Sequence, residues 1–70
     1  METFQLDGHS HIQLNQLLKM LGWAETGGEA NSLIVDGEVV VNGIVETQKR
    51  KKLIIGDKVD FAGKTVEIVT

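Results

Sequence analysis

The sequence has no cysteine, two histidines and only three aromatic residues, Phe4, Trp23 and Phe61. Each shortage removes a class of function. Without cysteine, no disulfide or thiolate metal site can staple the core, and nothing points to an oxidising compartment, so the cytoplasm is the expected location. His9 and His11 could ligate a metal, but a protein site generally needs a third ligand, and no further His or any Cys exists. They are expected to be solvated histidines at a helix start. They are also the only imidazole bases. Ser10 lies between them, where neighbouring side chains do not normally face one another, and a helix cap gives it sufficient structural reason. Catalysis, and with it any cofactor or small-molecule substrate, is therefore not expected. No apolar run approaches membrane-spanning length, and Met1-Glu2-Thr3-Phe4-Gln5-Leu6-Asp7 has neither the basic start nor the apolar stretch of a secretory signal.

What is present reads as one domain over residues 1–70. The chain is 41% hydrophobic and 24% charged, the balance of a folded protein rather than a disordered one. It is too short for a separate catalytic domain, and its core has little stability to spare. The net charge of -3 opposes approach to a polyanion. The distribution is more informative than the sum. Lys49, Arg50, Lys51 and Lys52 are four of the seven basic residues, while the ten acidic residues are spread along the chain.

Thr3-Phe4-Gln5-Leu6 alternates as a half-buried strand with Phe4 and Leu6 inward, and Asp7-Gly8 turns the chain. Ser10 followed by Gln13 fits a capping box, and Leu14, Leu17, Leu18 and Leu21 form the stripe of an amphipathic helix that Gly22 stops. Thr26 with Glu29 opens a second helix, with Ala30, Leu33 and Ile34 inward, ended by Asp36-Gly37. Val39-Val40-Val41, Asn42-Gly43 and Ile44-Val45 read as a hairpin with a type I′ turn. After the basic run, Leu53-Ile54-Ile55 is apolar, Gly56-Asp57 turns, and Lys58–Phe61 and Thr65–Val69 are strands reversed at Ala62-Gly63. The order implies an α+β fold in which two short N-terminal helices pack on a small, mainly antiparallel sheet.

Two segments carry candidate chemistry. Gly27-Gly28 at a helix start leaves backbone N–H groups open to an anion, although a tight interhelical turn explains the pair equally well. Neither a Walker motif nor a full G-x-G-x-x-G is present, which excludes nucleotide and dinucleotide readings. In Lys49-Arg50-Lys51-Lys52, four adjacent charges repel one another, and an opposing polyanion would relieve that repulsion. The alternatives are a solvated loop or a docking site for an acidic protein partner. Phe4 and Phe61 occupy inward strand positions, and Trp23 at the helix junction suits a core plug better than a stacking platform. With so few rings for unstacked bases, structured RNA read by shape and phosphate is the better-fitting nucleic acid.

Taken in order, Leu17-Leu18, Gly22, Thr26-Gly27-Gly28-Glu29-Ala30, Leu33-Ile34, Gly37, Val39, Val41-Asn42-Gly43 and Gly56-Asp57-Lys58-Val59 resemble the RNA-binding domain of small-subunit ribosomal protein four, the alpha-L motif. The resemblance covers about residues 11 to 61, and the whole chain looks closer still to a small, stand-alone bacterial member. It implies a non-catalytic, cofactor-free protein binding ribosomal or other structured RNA; action during ribosome assembly or translation, as a monomer, is the accompanying expectation. Family contacts usually come from the junction and start of the second helix, with basic residues beyond the hairpin. Here Thr26-Gly27-Gly28 replaces the usual Ser-Arg type, and Asn31 stands where a basic side chain is common. The resemblance therefore implies that Lys49, Arg50, Lys51 and Lys52 supply most of the attraction, with Thr26, Gly27, Gly28 and Asn31 fixing position.

Overall fold

The two helices owe their lengths to local signals that the backbone obeys. In the computed structural model, which describes residues 2–70, α1 spans Leu14–Met20 and α2 spans Gly27–Val35. Each ends in a Schellman motif. After α1, Gly22 N–H bonds Lys19 C=O and Trp23 N–H bonds Leu18 C=O; after α2, Gly37 and Glu38 bond Ile34 and Leu33 in the same way. The motif needs a left-handed residue one position past the cap, and Gly22 (φ 76°) and Gly37 (φ 80°) supply it. At the start of α2, Thr26 Oγ1 accepts the Glu29 N–H at 3.1 Å, as its sequence suggests.

The start of α1 departs from expectation. Ser10 does not cap it: the N-cap is Gln13, whose side chain makes no capping bond. The chain instead runs extended through β2 (Ile12–Gln13), and the orphan N–H groups of Leu14 and Asn15 donate to the carbonyls of Lys51 and Lys49, at 2.9 and 3.0 Å. Ser10 Oγ lies 2.9 Å from His11 Nδ1, so these sequence neighbours do face each other.

Strands surround the helices. The main sheet has the order β1-β7-β6-β3-β4, from β1 (Glu2–Gln5), β3 (Val40–Val41), β4 (Ile44–Val45), β6 (Lys58–Phe61) and β7 (Lys64–Val69). A second, two-stranded sheet joins β2 to β5 (Lys52–Leu53). The fold is α+β with two helices, but two corrections apply to the expected arrangement. The helices follow two strands rather than opening the chain, and the sheet is mixed. β1 runs parallel to β7, with Phe4 opposite Ile68, while the other pairings are antiparallel. The parallel register is possible because the chain leaves β1, passes through both helices and returns only at its last strand.

Between helices and sheet lies one apolar cluster. α1 contributes Leu14, Leu17 and Leu18, α2 contributes Ala30 and Ile34, the strands contribute Val41, Leu53, Val59, Val66 and Ile68, and Val39 joins them from just before β3, all buried. Phe4 and Phe61, expected inward, are half-buried at its margin. Trp23 is half-buried rather than a plug: its ring centroid lies 6.1 Å from that of Phe61, and Lys64 Nζ sits 5.4 Å from it, covering the ring with a cation.

Candidate nucleic-acid interface

The basic segment is reached through the hairpin. Asn42 (φ 52°) and Gly43 (φ 82°) form its turn with the two positive φ values of type I′ geometry. Asn42 then ties the hairpin to the far end of the basic excursion. Its amide donates to Asp57 Oδ1 at 2.9 Å, its Oδ1 accepts from Lys58 N–H at 2.9 Å, and Asp57 Oδ2 accepts from Ile54 N–H at 2.9 Å. The Asn-Gly and Gly-Asp pairs noted in the sequence are thus one clamp. Chain entering and leaving the basic stretch is held at a single point.

Within that frame, Lys49-Arg50 forms a turn, closed by Lys51 N–H to Gln48 C=O at 3.2 Å, and Lys52 enters β5 opposite Gln13. Lys49, Arg50 and Lys52 are exposed and Lys51 is half-buried. The backbone is fixed while the charges are not buried. The Lys49 and Lys51 carbonyls are used up as the cap of α1, and Leu53, immediately after the segment, is fully buried as its anchor. Holding four cations at a helix start works against the helix dipole, a local conflict that a bound anion would relieve.

Asn15 links this segment to α2. Its backbone N–H donates to Lys49, and its side-chain amide donates to Asn31 Oδ1 at 3.0 Å, part-buried between the helices. Lys49, Asn31, Ser32, Val35 and Asp36 line a shallow groove of about 220 Å³. Of the candidates named from sequence, the structure therefore brings together Asn31 and Lys49. Thr26, Gly27 and Gly28 lie at the start of α2, one helical turn before Asn31 and outside that groove.

Gly27 and Gly28 sit in the first turn of α2 without positive φ, and a Cβ at Gly27 would meet nothing within 4 Å. At Gly28 the nearest atom would be Thr26 Oγ1 at 3.9 Å. The interhelical turn is made by Gly22, so the turn explanation does not account for the pair. Glycine at both positions keeps any side chain away from the first-turn N–H groups. The Glu29 carboxylate is close by, accepting from Glu25 N–H at 2.8 Å, and partly offsets the anion-attracting dipole there. Sequence reasoning missed Asn15, whose role appears only when the helix start meets the basic turn.

Comparison with known proteins places the chain in a family. The S4 domain profile matches residues 4–69. YbcJ of Escherichia coli (strain K12) is 48% identical over 69 residues, covering 99% of each chain, and YbcJ of Shigella flexneri is equally similar. The solution structure of Escherichia coli YbcJ, which reveals an alpha-L motif involved in RNA binding, superposes with a TM-score of 0.75 at 47% identity, covering 100% of this chain and 89% of that one. With a profile match over nearly the whole chain and full-length relatives at this identity, the protein belongs to the S4 domain family.

Proposed function

We propose that this chain is a non-catalytic RNA-binding protein, a single domain with its motif core at about residues 11–61, that recognises structured RNA such as ribosomal RNA through phosphate contacts. Lys49, Arg50, Lys51 and Lys52 supply the attraction. Asn31, with Thr26, Gly27 and Gly28 beyond it, sets the register of the strand. The observation that carries this reading is the chain of bonds from Asn31 through Asn15 to the Lys49 carbonyl, with Leu14 N–H holding the Lys51 carbonyl beside it, which presents exposed cations from a fixed backbone. An ordinary solvated loop has no such attachment. The RNA-binding involvement of the alpha-L motif in YbcJ supports the same assignment.

The test is a variant with Lys49, Arg50, Lys51 and Lys52 all changed to Glu. Its side chains leave the hydrogen bonds that fix the segment intact, since those use backbone atoms. Circular dichroism should match that of the unchanged chain, and binding to a structured RNA such as a ribosomal RNA fragment should be lost. Full affinity in the folded variant contradicts the proposal. Capture of an acidic protein that survives ribonuclease would assign the segment to protein docking instead.

A further inference from the structure

A cavity of about 300 Å³ opens on the other side of α1, between the end of β1, the turn that follows it and the helix. Its walls include Phe4, Ile12 and Met20, and its polar groups include His9, His11 and Gln16. Met20 is 60% exposed, an apolar side chain left open to solvent at this site. Ser10 Oγ engages His11 Nδ1, which leaves Nε2 as the ring atom free for a ligand. Asp7, held with positive φ, adds a carboxylate. The volume is at the small end of the range of about 300 to 1,000 Å³ typical of small-molecule sites.

The register of the small sheet joins this cavity to the basic segment. Ile12, a cavity wall, pairs with Leu53, and the next pair along is Gln13 with Lys52. From strand spacings, the Lys52 backbone lies about 6 Å from that of Ile12. The Lys52 side chain faces the opposite side of this two-stranded sheet from Ile12 and Leu53, so a strand with a phosphate on Lys52 reaches the cavity by turning a base around the short edge of the sheet. The chemistry inside fits a base and not a phosphate. Asp7 repels an anion but accepts a ring N–H, the histidine nitrogens and the Gln16 amide can pair with a base edge, and Phe4 offers a ring face.

We infer that the cavity between β1 and α1 receives one unpaired nucleobase from the RNA whose backbone lies on Lys49–Lys52; this rests on the RNA-binding reading above. The basic segment then attracts, and the cavity selects RNA with a bulged or unstacked nucleotide.

Four RNA hairpins, each with a different single bulged base, and a fifth with an abasic bulge serve as probes, with the Met20 methyl followed by NMR. At least one bulged base should bind about fivefold or more tighter than the abasic hairpin, the effect of one base stacked on protein, and should shift the Met20 methyl resonance. His11→Ala with Gln16→Ala, at half-buried and exposed positions, should abolish the difference and leave abasic binding unchanged. Equal affinity for all five hairpins, with all five weakened by neutralising Lys49–Lys52, would overturn the cavity assignment and leave the RNA reading standing. Binding of none would remove both. Occupancy by free nucleosides that hairpin RNA does not displace would make the cavity a separate small-molecule site and overturn the inference.

Discussion

Replacing both Gly27 and Gly28 by Ala should make the protein more stable and a poorer RNA binder. Both glycines are in the first turn of α2 with φ that any residue adopts, and the added methyl groups meet nothing closer than 3.9 Å. Glycine within a helix is less favourable than alanine by about 0.5–1 kcal/mol, chiefly because the unfolded chain has more freedom to lose. The double variant should therefore gain about 1–2 kcal/mol at most, less to the extent that first-turn positions feel propensity weakly. For a domain of this size that raises Tm by about 4–16 °C. Thermal and urea unfolding measure it. The same methyl groups stand over the first-turn N–H groups that a phosphate would approach, so affinity for structured RNA should fall severalfold in a binding titration. A lower Tm would refute the geometric argument, because no clash or forbidden φ is there to cause it. A higher Tm with unchanged affinity would remove the helix start from the interface and confine the site to Asn31 and the basic segment.

Other positions give independent checks. Asn31→Ala should lower stability by about 1 kcal/mol in urea unfolding, from loss of the part-buried bond to Asn15, and should weaken RNA binding beyond that of an exposed control outside the groove such as Thr3→Ala. Asn42→Ala removes bonds to Asp57 and Lys58 and puts a Cβ residue without a polar side chain at positive φ. It should lose about 2–3 kcal/mol, measured by the same unfolding curves. Ala62 occupies the left-handed region at φ 51°, so Ala62→Asn should gain about 0.5–1 kcal/mol without changing RNA affinity.

The elements that could be read from the sequence are those whose cause is local. Gly22 and Gly37 stop their helices, Thr26 caps α2, and Asn42-Gly43 makes the hairpin, because each depends on residues within a few positions. The missed features are long-range. β2 and β5 are two residues each and pair about forty positions apart, too short for any hydrophobic period to register. Without that pairing, the orphan N–H groups of α1 had no visible partner, and Ser10 was the nearest side chain able to cap. The parallel β1–β7 pairing likewise depends on where the last strand returns.

The candidate site divides the same way. The four basic residues were visible as a cluster, and Asn31 was placed through the resemblance, but Asn15 reads in sequence only as a polar position on an amphipathic helix. Its bonds to Lys49 and Asn31 make it the joint between them. The cavity beside α1 was less visible still, since its lining is drawn from β1, the following turn, β2 and the helix.

The most direct test of the central claim is the salt dependence of RNA affinity. If Lys49, Arg50, Lys51 and Lys52 each neutralise a phosphate, the log-log slope against salt should be about -3 on single-stranded segments, and changing all four to Gln should bring it close to zero with the fold intact. A slope that stays near -3 in the folded Gln variant would place the phosphate contacts elsewhere and contradict the account.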